Sequence, residues 1–464
     1  MMHSRGACLL RRPLALLPFF LMAATPAAHA QSRDALVARL DSLAGAPVQE
    51  GRAVGISVAV VHGADTLLLR GYGHADIELD VPTPDRAVYE IGSVTKQFTA
   101  AAVLQLRDEG KLDLDADVTT YLPDYPTAGH RLTVRRLLDH TSGIKGMTEI
   151  EAFRELRVRH LPRDSAVAMF SAIPLEFAPG EAMIYNNSAY FLLGLIIEKV
   201  SGMSYEDYVE QKLFARLGMT DSRYCSNTEV VERRAHGYQY DGETVRRADY
   251  LDHTWPYAAG SLCSTAADLV TWLTALHGGG VLSERSYREM TTPARLNDGT
   301  ELRYGMGLSL GTDVRGARMI GHGGAISGFG ADASWYPDEQ LAVVVLINSN
   351  GPISPSALAS ELAGEIIPAV RPVARAFTGD AGPLIGKYAG PSRGRRMTAE
   401  VTPHAQGGVA ISVNGSDARP LAWVDGWSFR SGTVHIVFER DGDTGPATVL
   451  RFDTGGGHYV LRRQ

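Results

Sequence analysis

The sequence predicts an α+β fold in which one antiparallel sheet is flanked by helices and joined by an all-helical region, followed by a small antiparallel β-barrel-like domain. Three observations predict it. Strand-like runs occur near residue 55 and again near residue 341 with apolar helical stretches between them, so distant parts of the chain must complete one sheet. From Pro368 to Pro383 periodicity is lost and Pro, Arg, Ala and Gly gather, which is linker chemistry. Beyond that point, short alternating runs are separated by Gly and Asp turns, the pattern of a small barrel or sandwich.

Taken in order, Arg5, Arg11 and Arg12 precede the apolar run Leu14–Ala24, and Ala28-His-Ala30 supplies a small-residue cleavage pattern. Residues 1–30 are therefore expected to be an export signal cut after Ala30. The run is shorter than the roughly 20 apolar residues a spanning helix needs, and Cys8 lies ahead of it, which argues against lipid attachment there. No membrane span is expected after signal removal, and the expected location is a periplasm or the cell exterior. Leu36, Val37, Leu40 and Leu43 lie at helical spacing with Gly45 as a stop. Gly55–His62 and Thr66–Gly73 flank a short turn as a hairpin would. Helix dominates from Ser93 to about Ser201. Strands return around Met319–His322 and in Leu341–Ile347, ahead of a helix over Ser356–Ile366. The alternating runs Val409–Val413, Thr433–Phe438 and Ala447–Phe452 close the chain. The domains so read are 1–30 signal, 31–367 helix-and-sheet domain, 368–383 linker and 384–464 β-rich domain.

Composition excludes more than it assigns. A net charge of -7 offers no basic surplus for a phosphate backbone, so no nucleic-acid partner is expected. The pair Gly71-Tyr-Gly73 sits in a hairpin signal with no helix opening behind it, which argues against a dinucleotide site. No His-Glu-x-x-His occurs among the 14 histidines, so neither a metal nor a cofactor is expected. The mature chain would keep two cysteines, Cys225 and Cys263, and an oxidising compartment favours their pairing.

Three stretches carry chemistry. Ile91-Gly-Ser-Val-Thr-Lys-Gln-Phe98 runs straight into an apolar helix, placing Ser93 at a helix N-terminus and Lys96 three residues on, on the same face. An ordinary hydroxyl needs such a neighbour, because a buried lysine can lose its proton and act as base. Alone, Ser-x-x-Lys also reads as an N-cap followed by a solvated lysine. Tyr185-Asn-Asn187 precedes a second apolar helix: a tyrosine beside a cation can shuttle a proton, and the Asn187 amide can hold both the lysine and a substrate carbonyl. In His322-Gly-Gly324-Ala325 the glycines allow close approach of a substrate to the backbone. His322 is expected to donate to a substrate carboxylate or to Tyr185, and the Ala325 N–H to join that of Ser93 as an oxyanion hole. No candidate catalytic group lies beyond the linker.

In this order, the three stretches resemble the serine β-lactamase and penicillin-binding-protein superfamily, which uses Ser-x-x-Lys, then Tyr-x-Asn, then Lys-Thr-Gly or His-x-Gly on a strand beside the site. Leu137–Ile144, Ala259–Asp268 and Gly328-Phe-Gly330 look like its branch of class C β-lactamases, D-aminopeptidases, DD-peptidases and esterases, and the likeness spans residues 35–366. The resemblance implies catalysis by Ser93, Lys96 and Tyr185, with Asn187, His322 and Gly324 positioning a small-molecule or short-peptide substrate. Either Lys96 or Tyr185 is the acylation base. His322 stands where class C β-lactamases have lysine, and the segment after Asn348 lacks their carboxylate-binding Arg, so esters and amides are expected ahead of β-lactams. The alternatives are a β-lactamase or DD-carboxypeptidase, and a non-catalytic penicillin-binding receptor or scaffold. The segment opening Leu384-Ile-Gly-Lys-Tyr388 resembles the lipocalin-like domains of some D-aminopeptidases.

Overall fold

The computed structural model describes residues 26–368 and 377–464, except 242, 406, 441, 443 and 444. The expected export signal up to Thr25 and half of the expected linker, residues 369–376, lie outside the described residues.

The central sheet is antiparallel throughout and has seven strands, in the order Ser309–Thr312, Arg318–Ile326, Phe329–Tyr336, Leu341–Ile347, Gly55–His62, Asp65–Asp76 and Val81–Pro82. The hairpin near the N-terminus meets the late strand in register from Ile56 opposite Ile347 to His62 opposite Leu341. Period-two alternation sorts these strands into two cores. Ile56, Val58, Val60, Val343 and Val345 pack with Leu40 of the first helix and Leu358 and Leu362 of the helix Pro355–Ala363. Ala59, Ala342, Val344 and Leu346 face the opposite way, into the core shared with the helical region. Each fully buried Val or Leu contributes about 1.5–3 kcal/mol, so a one-residue slip that turned either set outward would unfold the sheet.

The first helix runs over Pro26–Gln49, past the stop expected at Gly45. Gly45 is there for packing: a Cβ on it would lie 3.2 Å from the ring of Tyr72. Leu43 and Val48 on either side still pack on the sheet core, which holds the helix together through Pro47.

The helical region is built around Thr95–Asp108 and Asn187–Ser201. Both are buried over most of their surface, the first with Lys96, Gln97 and Thr99 among its buried residues, and the second is terminated by Gly202 in the left-handed conformation (φ 72°).

In the C-terminal region, nine strands between Gly386 and Arg463 form one antiparallel sheet that curls into a nearly closed barrel. Its interior is filled by side chains such as Tyr388, Phe429, Ile436, Phe438 and Leu461. This barrel is not simply tethered. Its last strand, Gly457–Arg463, pairs with Met183–Ile184 of the helical region, and Ile184 belongs to the barrel core. Ion pairs between Arg303 and Asp453 (2.9 Å), Arg451 and Asp298, and Arg393 and Glu149 cross the same seam. Among the described residues no helix is long and apolar enough to cross a membrane.

Candidate active site

Ser93 lies in a single 3-10 turn, Gly92–Val94, that leads into the helix Thr95–Asp108. Two glycines let the strand Arg318–Ile326 come against this turn. Gly92 has φ +50° and a Cβ on it would stand 3.0 Å from the Ala325 nitrogen, while a Cβ on Gly324 would stand 2.1 Å from the Ile91 carbonyl oxygen. Gly324 is therefore a spacer that brings the backbones of Ser93 and Ala325 side by side. The turn is also fixed from behind: the Ile91 N–H donates to the Leu262 carbonyl at 3.0 Å and the Leu262 N–H to Thr95 Oγ1 at 3.2 Å. Leu262 is adjacent to Cys263, which is joined by a disulfide to Cys225. Both cysteines are fully buried with Val88, in a small apolar cluster rather than in the polar turns their sequence neighbours suggest.

Lys96 is completely buried. Its Nζ donates to Asn187 Oδ1 and to the Ala259 carbonyl, both at 2.8 Å, and stands 3.2 Å from Ser93 Oγ. It also lies over the rings of Tyr185 (4.6 Å to the centroid) and Tyr190 (5.3 Å). Among the described residues no carboxylate touches it, so burial, and secondarily the positive charge of Arg393, hold its pKa well below the usual lysine value. A neutral amine satisfies all three contacts: two N–H groups serve Asn187 and Ala259, and the lone pair is left facing the serine. Asn187 begins the helix Asn187–Ser201, whose N-cap is Asn186, with its side chain accepting from the Ala189 N–H at 2.9 Å.

The Tyr185 hydroxyl is buried without a geometric hydrogen-bond partner, near enough to Ser93 for the serine to oppose the upward push that burial gives the tyrosine pKa. The phenol is thus neutral at rest. It is reached by the short strand Met183–Ile184, the one that pairs with the barrel.

His322 does not take the role expected for it. It is buried, its ring is 5.9 Å from that of Tyr185, and both its nitrogens are engaged elsewhere. The Asn186 N–H donates to His140 Nδ1 at 3.1 Å, so His140 carries its proton on Nε2, 3.2 Å from the Tyr304 hydroxyl. Tyr304 in turn donates to His322 Nε2 at 3.0 Å, and His322 Nδ1–H donates to the Gly323 carbonyl at 2.6 Å. This polarity leaves His322 no N–H for Tyr185 or for a substrate carboxylate. Burial first, and then Lys96, push the His322 pKa down to about 3, and burial keeps His140 neutral too. The chain His140–Tyr304–His322 is a neutral brace behind Tyr185, with the His140 ring centroid 4.4 Å from that of Tyr185.

Sequence reasoning missed His140, Tyr304 and Arg393. His140 lies within Leu137–Ile144 and has φ +61°, unusual for a residue with a side chain, but sequence spacing does not report a dihedral. No catalytic group was expected beyond the linker, but Arg393, from beyond it, stands with its guanidinium carbon 5.4 Å from the Tyr185 ring centroid.

A cavity of about 500 Å³ opens beside Ser93 and Asn187, walled by Met147, Phe153, Trp255 and Ile326, with Arg157 and Asp249 paired at 3.0 Å on its rim. Among the described residues, Asp76, Glu78 and His236 are grouped closely enough to share a cation, but Glu78 already pairs with Arg247 and none of the three lines the cavity.

The sequence pattern of the Beta-lactamase family matches residues 40–366. The chain is 30% identical over 307 residues to penicillin-binding protein 4* of Bacillus subtilis (strain 168), covering 63% of this chain and 67% of that one. The fold is similar to the crystal structure of a D-amino acid amidase from Ochrobactrum anthropi SV3 complexed with D-phenylalanine, with a TM-score of 0.62 and 26% identity over 72% of this chain and 99% of that one. It is also similar to an octameric penicillin-binding protein homologue from Pyrococcus abyssi, with a TM-score of 0.64 and 25% identity over 92% of this chain and all of the other.

Proposed function

We propose, from the premise that this chain belongs to the Beta-lactamase family of serine hydrolases, that it cleaves D-amino-acid amides and short peptides through an acyl-enzyme on Ser93. The observation that carries this reading is the environment of Lys96: a buried amine with two fixed acceptors and a third side open to Ser93 Oγ. The amidase complexed with D-phenylalanine supports the substrate class, and the apolar walls that Met147, Phe153, Trp255 and Ile326 give the cavity beside Ser93 suit an aromatic or aliphatic acyl side chain.

Neutral Lys96 takes the Ser93 proton as Oγ attacks the carbonyl carbon, and the N–H groups of Ser93 and Ala325 hold the oxyanion. Tyr185, kept protonated by burial, gives its proton to the leaving nitrogen as the C–N bond breaks. The tyrosinate so formed stands beside the cation now on Lys96. In the second half, water gives a proton to Tyr185 and its hydroxide adds to the acyl carbon. Ser93 then leaves with the proton stored on Lys96, and every group returns to its starting state.

His322, with no N–H to offer, does not hold a carboxylate as a lysine would, and this places β-lactams behind amides. Export to a periplasm or the exterior is part of the proposal, supported by the Arg-flanked apolar run at residues 14–24 and by the Cys225–Cys263 bond.

A fluorophosphonate probe tests the nucleophile: it should label the wild type and leave Ser93→Ala unlabelled. A panel of D-phenylalanine amide, p-nitrophenyl acetate and nitrocefin tests the class, with nitrocefin expected last. Efficient nitrocefin turnover beside slow amide turnover would reverse the ranking.

A further inference from the structure

Seven residues other than glycine have a positive φ among the described residues, and five of them are exposed. The two that are fully buried are His140, behind Tyr185, and Tyr257. Tyr257 has φ +41°, where the Cβ of an L-residue crowds the following carbonyl oxygen. What this conformation sets is the direction of the turn Tyr257–Ala259. The Tyr257 carbonyl accepts from the N–H groups of Gly260 (3.1 Å) and Ser261 (2.9 Å), and the next two carbonyls both point at the helix Thr95–Asp108. That of Ala258 accepts from Thr99 Oγ1 at 2.6 Å, and that of Ala259 from Lys96 Nζ at 2.8 Å. Lys96 and Thr99 lie on one face of their helix, so a single turn of chain serves both.

The ring of Tyr257 holds the turn in place. Its centroid is 4.9 Å from that of Phe191 and 5.2 Å from that of Tyr205. It rests against Gly194, where a Cβ would stand 2.4 Å from Tyr257 Cε1 and 2.6 Å from the Ala258 Cβ. Gly194 sits inside the helix Asn187–Ser201, a place where glycine is otherwise unfavourable, and the slot for this ring accounts for it. On the outer side the Arg163 guanidinium carbon lies 4.1 Å from the ring centroid, and Arg163 is itself held by ion pairs to Glu198 of that same helix and to Glu206. Arg163 is 31% exposed, so the stack reaches the surface. The Tyr257 hydroxyl is buried without a geometric hydrogen-bond partner, which leaves the ring and not the phenol as the part that acts. Neither Tyr257 nor Arg163 lines the cavity beside Ser93.

We propose that Tyr257 is a positioning residue for Lys96: ring packing holds its backbone in the left-handed region, this aims the Ala259 carbonyl at the amine, and Arg163 closes the slot from outside. The proposal rests on the acyl-enzyme reading above, in which neutral Lys96 takes the Ser93 proton. With two N–H groups fixed on Asn187 and Ala259, the lone pair has one direction left, toward Ser93 Oγ. Once Tyr257 relaxes to negative φ, the Ala259 carbonyl turns away and the amine is free to rotate. Proton transfer from Ser93 then loses its geometry while the substrate contacts stay intact, so the effect falls on kcat.

The test uses the full chain and D-phenylalanine amide, with active sites counted by fluorophosphonate labelling carried to completion. Tyr257→Phe keeps the ring and should match the wild type. Tyr257→Ala should lower kcat per site by about 10- to 100-fold with KM within about threefold, the signature of a misplaced catalytic group. Tyr257→Gly empties the same slot but adopts positive φ without strain, and it should recover a large part of that loss. A ring that only fills the core predicts otherwise, with the glycine variant no better than the alanine one. Equal kcat in those two variants, wild-type kcat in Tyr257→Ala, or a collapse in Tyr257→Phe overturns the proposal. If the alanine and glycine variants do not fold, Arg163→Met decides from the surface: it should lower kcat about threefold at unchanged KM, the worth of an exposed cation–π contact, with a melting temperature within a few degrees of wild type. Wild-type kcat in Arg163→Met then overturns the proposal. A wild type that resists the fluorophosphonate probe and cleaves neither amide nor ester overturns the acyl-enzyme reading, and the positioning of its base falls with it.

Discussion

The two flanks of Ser93 are made by different parts of the molecule and held by different forces. On the acyl side, Lys96, Asn187 and the Ala259 carbonyl are drawn from the helical region and meet in short hydrogen bonds around a fully buried amine. On the leaving side, Tyr185 follows a strand paired with the barrel, and two of the ion pairs across the seam, Arg393 with Glu149 and Arg451 with Asp298, have an exposed member. Buried hydrogen bonds fix one geometry and do not respond to salt, whereas exposed ion pairs are weak, screened and easily altered. The base is thus placed where it cannot drift, whereas the barrel's side of the site is held in part by charges that salt and substitution can weaken.

Breaking the acyl side should do the most damage. Ser93→Ala and Lys96→Ala are each expected to lower kcat by roughly 10⁴-fold or more while circular dichroism stays native, since one removes the nucleophile and the other its base. A loss under tenfold in Ser93→Ala would end the mechanism. Next in size is the brace behind that side. Replacing Cys225 and Cys263 together by alanine opens a loop with a sequence separation of 38 and should cost about 3–4 kcal/mol of unfolding free energy on the chain-entropy estimate, read from urea midpoints. An unchanged midpoint would show that the buried pair packs equally well without its bond.

A smaller effect is expected behind Tyr185. Tyr304→Phe leaves the His322 Nε2 acceptor and the His140 Nε2–H donor buried without partners, a cost of about 1–3 kcal/mol in stability. Turnover should fall less, because neither histidine touches the substrate in the mechanism. A collapse in kcat with unchanged stability would move His322 from brace to proton carrier.

How much of this was legible in the sequence follows the same division. Ser93, Lys96 and Asn187 were readable because helical spacing and order along the chain carry their geometry, and the strands Gly55–His62 and Leu341–Ile347 because alternation reports burial. The role of His322 was misread: its motif places it on the site strand, but which partners its nitrogens find depends on Tyr304, whose sequence neighbours carry no such signal. Gly45 was misread as a helix stop because a glycine that admits an aromatic ring and one that ends a helix look alike. Arg393 was invisible because it reaches the site only through the pairing of Gly457–Arg463 with Met183–Ile184, a contact between segments more than 270 residues apart. Nothing in the local pattern of either segment announces it.

The finest test of the comparison asks whether the exposed flank tunes the buried one, and it uses D-phenylalanine amide, a substrate with no carboxylate. Lys96 must be neutral to accept the serine proton, so kcat/KM falls as pH drops through its depressed pKa. Burial causes most of that depression and Arg393 the lesser part. Removing the arginine charge therefore lets the Lys96 pKa rise, and the acid limb of Arg393→Gln should move to higher pH. Arg393 also favours ionised Tyr185, against the larger effect of burial, so the tyrosine pKa rises too and the alkaline limb shifts in the same direction. Because the Arg393 side chain is 44% exposed, salt should screen its influence, and the wild-type profile should approach that of the variant as ionic strength increases. The limbs belong to the coupled pair and not to either residue alone, so the displacement of the whole bell is the observable. Profiles that coincide, or a variant bell displaced toward acid, would mean that the barrel contributes no such field to Lys96 and Tyr185.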